Sequence, residues 1–332
     1  MKSWKLTAPC RLEHETCSDL VLSEGYAKIK VTKSVLSEPD VAVFSGATKT
    51  KYPVTLGRSA IGLVTETGEN SFMQKGDRVY LPAYKEDELA PQGYLVCGET
   101  TDGYFRDFVL ANADQAFVLP ASVSDDAAFL IDAVALAEHV VDEMQVTAGE
   151  HILVVGGGLY GNVLCQILIY HRAVPILIDN NAERLAIAKK SGIYYTFKND
   201  ETLKENVLGV TGGKFADGEV YLTFANHSEP STFFSLLRHG AKAAFCSLHP
   251  KTFTVNLENA MRNNVTLFSI TESSEFVPTA INILANKAVA FSAFPKKLYK
   301  EQDLPVILAD YAKLLSSGSS LPDETVVVNF VF

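Results

Sequence analysis

Short alternations of apolar and polar residues, broken by Gly, Pro or Asp, mark the chain from Tyr26 to about Leu119 as rich in β-strands. Ala27, Ile29 and Val31 alternate with polar neighbours. Ile61 to Glu66 reads as a strand, and Gly76-Asp77 turns the chain into Arg78-Val79-Tyr80-Leu81. Phe105 to Leu110 and Ala116 to Leu119 add two more runs, and together they predict a compact barrel. The period changes near Ser122. Ser124-Asp125-Asp126 precedes an apolar stretch from Ala127 to Met144, which predicts a helix with an acidic first turn. Beyond it strands and helices alternate. A strand at Ile152 leads to a helix reaching about Tyr170, a strand at Ile176 and a helix from Ala182 to Ser191 stopped by Gly192. Strands follow at Glu219 to Phe224, Ala243 to Ser247 and Val265 to Ile270, with helices at Ser231 to Leu237 and Phe276 to Ala285. This alternation predicts an α/β architecture with a doubly wound parallel sheet. The tail ends in the apolar run Thr325 to Phe330 with no helix after it, a strand expected to return to the β-rich part. The expected division is residues 1–123 with 290–332, and residues 124–289.

Chemistry concentrates where the first strand of the second part ends. Ile152-Leu153-Val154-Val155 runs into Gly156-Gly157-Gly158-Leu159-Tyr160-Gly161, and a second run, Pro175-Ile176-Leu177-Ile178, closes on Asp179. Strand, glycine turn, helix, strand and acid form the dinucleotide fingerprint of a Rossmann unit. Gly156 allows the tight turn, Gly158 lets backbone approach a pyrophosphate, and Gly161 lets the helix pack closely. The first amides of the helix, at Leu159 and Tyr160, are expected to face the phosphates, where the helix dipole favours negative charge. Asp179, followed by Asn180, is expected on the adenosine ribose. A carboxylate there accepts the ribose diol and repels a 2′-phosphate, so NAD is expected over NADP. Arg184 and Lys189 read as solvated charges on the next helix.

Bulk properties narrow the partners. The 332 residues suffice for two domains, and 47% hydrophobic with 20% charged residues describes a globular chain. A net charge of −10 argues against a nucleic-acid surface, which needs clustered Lys and Arg. No stretch approaches the roughly 18 consecutive apolar residues of a membrane span. Met1-Lys2-Ser3-Trp4-Lys5 does not open a secretory signal, so the cytoplasm is the expected compartment. Cys10, Cys17, Cys97, Cys165 and Cys246 are scattered without a CxxC pair and suit reduced thiols. Cys165 is expected as a small core residue of the glycine-turn helix.

A β-rich first part, an inserted Rossmann unit and a returning strand, taken with three further segments, resemble the medium-chain dehydrogenase/reductase superfamily. The segments are Leu56-Gly57-Arg58-Ser59-Ala60-Ile61-Gly62, Lys75-Gly76-Asp77-Arg78-Val79, and Asp102-Gly103-Tyr104-Phe105-Arg106-Asp107-Phe108-Val109. The resemblance implies a GroES-like barrel domain, a nicotinamide cofactor, a small-molecule substrate and a homodimer, with Val265 to Ile270 as a candidate edge. Zinc-dependent members use a Cys, a His-Glu pair and a later acid or Cys as ligands of the catalytic metal. Those slots fall here on Ser37, on Arg58 and Ser59, and on Asp132. The four-cysteine lobe expected after Arg78 is also lacking, since Tyr84 to Gly98 contains only Cys97. A permanent cation in place of an imidazole repels a metal, and the expectation is a member without zinc.

Without a Lewis acid, hydrogen-bond donors or a cation must stabilise the developing oxyanion. The candidate catalytic residues are therefore Ser37, Arg58, Ser59 and Asp132, with Lys33 or Asp40 as possible neighbours. Arg58 either grips a substrate carboxylate or phosphate, or polarises a carbonyl, or else pairs with Asp132 and fills the vacated metal site. His139 is a weaker candidate. His227, His239 and His249 read as surface or loop residues, and Tyr84 and Tyr94 as proton donors that the family pattern does not select. The leading expectation is a zinc-independent NAD(H) oxidoreductase acting on a small polar hydroxy or carbonyl compound, such as a polyol, sugar phosphate or hydroxy acid. Alternatives are an NADPH-dependent enoyl or quinone reductase and a non-catalytic dinucleotide sensor.

Overall fold

The computed structural model describes residues 1–222, 230–246, 255–271, 273–317 and 325–330. It has the expected α/β architecture in two compact units, Met1–Asp132 with Pro295–Phe332, and Ala133–Phe294.

The first unit is built on a seven-stranded sheet. Along it run Phe117–Val118, Arg78–Leu81, Ser59–Thr67, Ala27–Leu36, Thr325–Asn329 and Lys296–Lys300, and Phe108–Ala111 also pairs with Ala27–Leu36. Thr325–Asn329 lies antiparallel to Ala27–Leu36, with Val326 opposite Leu36 and Asn329 opposite Lys33. The strand Ala27–Leu36 changes burial phase partway. Ala27, Ile29 and Val31 are fully buried, and then Ser34 and Leu36 are. A register shift between Val31 and Lys33 explains this, because one extra residue flips every later side chain to the other face. The strand thereby delivers Ser37 to the start of the helix Glu38–Ser45.

A hairpin, Lys2–Ala8 with Arg11–Thr16, precedes the region expected to hold strands. It turns at Cys10, which has a left-handed φ of 59°. Leu6, fully buried, ties it into the same core as Ile29, Leu56 and Phe105. The expected helix from Ala127 to Met144 is two helices, Asp125–Ala128 and Ile131–Glu143. Ion pairs anchor the first to the β-rich unit. Asp125 meets Lys33 and Arg78 at 2.6 Å each, and Asp126 meets Lys296 at 2.6 Å. The boundary between units accordingly falls after Asp132, later than the expected 123/124, and the second falls after Phe294.

The second unit carries a six-stranded, wholly parallel sheet. Its order is Tyr195–Phe197, Val174–Ile178, His151–Val155, Ala216–Tyr221, Leu237–Cys246 and Thr266–Ile270. The order reverses between the two halves that start from His151–Val155, the arrangement that opens a crevice at the strand ends. Each central strand is apolar almost throughout, as burial on both faces requires. Residues Ser231 to Leu237, expected as a helix, form a 3-10 turn over Pro230–Leu236 and then enter the strand Leu237–Cys246. Phe224, Ser247, His227 and His249 lie outside the described residues. No helix among the described residues is long and apolar enough to cross a membrane.

Candidate active site

The glycine turn is forced by close approach. Gly156 has φ 111°, a backbone conformation that side chains disfavour. A Cβ on Gly161 would lie 1.7 Å from the carbonyl oxygen of Gly156, so the first turn of the helix Leu159–Tyr170 rests directly on the turn. Gly158 caps that helix in extended conformation. The first helical hydrogen bond runs from the Asn162 N–H to the Gly158 carbonyl at 2.9 Å. No acid stands in the first turn of this helix, leaving its dipole available to an anion.

Asp179 stands at the end of Val174–Ile178 and is drawn into the turn. Its Oδ2 accepts the Gly157 N–H at 2.6 Å, and its Oδ1 accepts the Asn181 N–H at 2.7 Å. The Arg184 guanidinium reaches Oδ2 at 3.4 Å. This corrects the reading of Arg184 as a solvated charge: its side chain is only 14% exposed, because the helix Ala182–Lys190 begins right after Asp179 and turns Arg184 back over it. Lys189 is exposed, as expected. Asn180 accepts the Asn199 N–H at 3.1 Å and so ties two loops together. Cys165 is fully buried, and burial pushes its thiol up.

The polar cluster of the β-rich unit starts at Ser37, which precedes the helix Glu38–Ser45. Both the backbone N–H and the hydroxyl of Ser37 donate to Asp40 Oδ2, at 2.9 and 2.5 Å. The other oxygen of Asp40 accepts the Gly57 N–H at 3.0 Å. Gly57 has φ 98° and no room for a Cβ, which would lie 2.6 Å from the Phe105 ring. The next residue, Arg58, is buried. It donates through Nη2 to the Tyr84 hydroxyl oxygen at 2.9 Å, and its Nη1 lies 3.5 Å from Glu99 Oε2. Ser59 and Tyr80 both donate to Asp132.

Electrostatics bind these groups into one system. Burial pushes the Asp40 carboxyl up, opposed by the Ser37 and Gly57 hydrogen bonds and by the Arg58 charge. Burial likewise pushes up Asp132 and Glu99, and Arg58 opposes it in both. Arg58 itself is desolvated, yet Tyr84, Asp40, Glu99 and Asp132 together hold it charged. One cation thus faces three carboxyl groups and a phenol.

Ser37, Arg58, Ser59 and Asp132 all fall within this connected set. Of the alternatives for Arg58, the ion pair with Asp132 is not the one formed: Arg58 pairs with Glu99, and Asp132 is engaged by Ser59 and Tyr80. Lys33 is directed to Asp125 at 2.6 Å and takes no part in the set. Glu99 and Tyr80 were not among the expected site residues. Both reach the cluster through strand register and a loop, which spacing alone does not reveal. Tyr84 belongs to a small hairpin, Tyr84–Glu86 with Tyr94–Val96, in the region lacking the four cysteines. In the other unit, His139 contacts Ser273 at 3.0 Å and stacks on Phe276, while His239 is exposed. Among the described residues, no group of three or more His, Cys, Asp or Glu is arranged to hold a metal ion.

Comparison with known families and structures fits this division. Residues 23–121 match the family "Alcohol dehydrogenase GroES-like domain", and residues 161–286 match "Zinc-binding dehydrogenase". A sorbitol dehydrogenase of Halalkalibacterium halodurans is 30% identical over 205 residues, 57% of this chain and 60% of that protein's own length. The structure of an Escherichia coli CFT073 alcohol dehydrogenase (rspB) complexed with NADH superposes with a TM-score of 0.83 over 99% of each chain, at 21% identity. A zinc-binding dehydrogenase of Sinorhizobium meliloti bound to NADP superposes with a TM-score of 0.84 over 99% of this chain and 98% of that one, at 18% identity.

Proposed function

The chain belongs to the medium-chain, zinc-type alcohol dehydrogenase-like superfamily, and from that premise we propose that it is an NAD(H)-dependent oxidoreductase of small hydroxy or carbonyl compounds that works without zinc. Hydride passes between nicotinamide and the substrate carbon, and the cluster around Arg58 orients the substrate oxygen. Arg58 is the observation that carries this reading. A catalytic zinc requires about three converging His, Cys or carboxylate ligands. Here a guanidinium, always protonated, stands at the imidazole slot, with hydroxyls at the Cys and Glu slots. Asp40 and Asp132 are engaged by Ser37, Gly57, Ser59 and Tyr80. That donor set does not fit a zinc ion, and no step is assigned to one.

The charge balance favours one substrate class among the three expected. Arg58 already faces Asp40, Glu99 and Asp132. A phosphate or carboxylate has to compete with Glu99 for the guanidinium, whereas a neutral polyol adds no charge. We therefore put polyols ahead of sugar phosphates and hydroxy acids.

NAD preference rests on Asp179, whose carboxylate repels a 2′-phosphate. A second reading, an NADPH-linked reductase, is favoured by one observation: Arg184 lies 3.4 Å from that carboxylate and meets a 2′-phosphate if the pair opens. Titration with NADH and with NADPH, followed by nicotinamide fluorescence, separates the two. Tighter NADH supports the first reading, tighter NADPH the second, and binding of neither removes both. We further propose cytoplasmic residence, in keeping with free thiols at all five cysteines. A homodimer is proposed through the edge strand Thr266–Ile270, which leaves Leu267 exposed. Analytical ultracentrifugation tests it.

A further inference from the structure

We infer that Glu219 is a proton-operated switch beneath the glycine turn: carrying its proton it keeps the strand Ala216–Tyr221 and the turn packed, and losing it loosens both and weakens dinucleotide binding. The inference rests on the dinucleotide reading above and adds a regulatory input to it. Every residue in it belongs to the unit Ala133–Phe294.

The surroundings of Glu219 set the chemistry. The side chain is buried, and neither carboxyl oxygen has a hydrogen-bond partner. It lies level with Leu153 on one neighbouring strand and Ala243 on the other, so it shares their face of the sheet. That face carries an apolar cluster with Tyr221, Phe233 and Phe234. An ionised carboxyl is tolerated there only where water reaches it. The cover is thin: Phe233 and Phe234 come from the 3-10 turn Pro230–Leu236, a weaker element than an α-helix. Ionisation is relieved when this turn lifts from Tyr221, whose ring lies 6.5 Å from that of Phe233.

Two contacts carry the change to the glycine turn. Tyr221 lies level with Val155, the residue before Gly156. Leu222 donates its N–H to the Val155 carbonyl at 2.9 Å, and its side chain lies 3.5 Å from the place of a Cβ on Gly161. The strand end that follows Glu219 therefore braces the turn at its start and at its close. By linkage, a ligand that needs the packed turn binds the protonated form more tightly, and its binding draws a proton onto Glu219.

Other titratable groups border this face. Burial and the adjacent Glu219 push the Tyr221 phenol up to about 12. Asp217, at the start of the strand, is held below the usual carboxylate range despite burial, by the His151 N–H and by Arg238. His151 stands two residues before Leu153 on the neighbouring strand. Lys204 and Glu205 of the helix Leu203–Val210 are exposed, and Glu258 and Arg262 of the helix Glu258–Arg262 pair with each other in solvent. All of these are common to wild type and to a Glu219 variant, so a comparison of the two isolates Glu219.

The test titrates the full chain with NADH, by nicotinamide fluorescence, from pH 6 to pH 9 in wild type, Glu219→Met and Glu219→Gln. Wild-type affinity is expected to fall relative to both variants as pH rises, by up to about tenfold per pH unit once the carboxyl ionises in the free protein. Calorimetry of NADH binding in two buffers of different ionisation heat is expected to show more proton uptake in wild type than in either variant. A ratio of wild-type to variant affinity that stays within twofold from pH 6 to pH 9 overturns the switch and leaves the dinucleotide reading standing. A wild-type protein that binds no NADH at any of these pH values overturns both.

Discussion

Glu219 lies in the middle of the strand Ala216–Tyr221, flanked in register by Leu153 and Ala243. It is 1% exposed, and neither carboxylate oxygen has a hydrogen-bond partner. Its neighbours belong to an apolar cluster that includes Tyr221, Phe233 and Phe234. Burial pushes the carboxyl well above its ordinary range and favours its neutral form in the fold. In the unfolded chain it ionises near the usual glutamate value of about 4.3. Above that pH, folding takes up a proton, and stability falls as pH rises until the folded carboxyl itself ionises. The slope for one such group is about 1.4 kcal/mol per pH unit. Glu219→Met keeps an unbranched chain of similar size and removes the titration. Its stability advantage over wild type is expected to grow by about 1.4 kcal/mol between pH 5 and pH 6. Glu219→Gln removes the same pH dependence but retains a buried amide without partners, and is expected to be about 1–3 kcal/mol less stable than the Met variant. Urea unfolding followed by circular dichroism at several pH values measures both. A difference between wild type and Glu219→Met that stays flat from pH 5 to pH 6 would mean that the Glu219 carboxyl takes up no proton on folding.

Three further outcomes follow from the same geometry. Gly161→Val places atoms against the Gly156 carbonyl, displaces the glycine turn, and is expected to weaken NADH more than about tenfold in a fluorescence titration. Asp179→Asn keeps the shape of the strand end, removes its charge and releases Arg184. The ratio of NADPH to NADH affinity is expected to rise by about tenfold or more, by the same titration. Asp125 is held below the usual carboxylate range; its hydrogen bonds and charge contacts with Lys33 and Arg78 outweigh burial. Its contribution is present at neutral pH and lost as pH falls through the depressed value. Lys33→Met is therefore expected to cost about 1 kcal/mol or less at pH 7, and less in acid, in thermal melts across pH.

Local pattern carried the architecture because its causes are local. Strand–helix alternation, the spacing from Gly156 to Gly161 and the acid at Asp179 all follow from backbone geometry within a single β-α-β unit. The break between Ala128 and Ile131 was not legible: Phe129 and Leu130 are ordinary helix residues, and ion pairs of Asp125 and Asp126 with distant lysines and an arginine hold the short first helix. Site partners were hidden for a related reason. Arg58 meets Tyr84 and Glu99 through a hairpin and a loop far along the chain, so the slot at Arg58 was readable while its ion-pair partner was not. Arg184 differs again, since it is close to Asp179 in sequence, and only the direction of the intervening turn decides that it folds back.

In the proposed mechanism the cluster around Arg58 takes the place of a catalytic metal. The most direct test is polyol oxidation by NAD, measured on chelator-treated protein whose metal content has been determined, in wild type and in Arg58→Ala. The zinc-free wild type is expected to turn over with no gain on adding zinc, and Arg58→Ala to lose turnover with NADH affinity retained. Activity that depends on added zinc, or that survives Arg58→Ala, would contradict that mechanism.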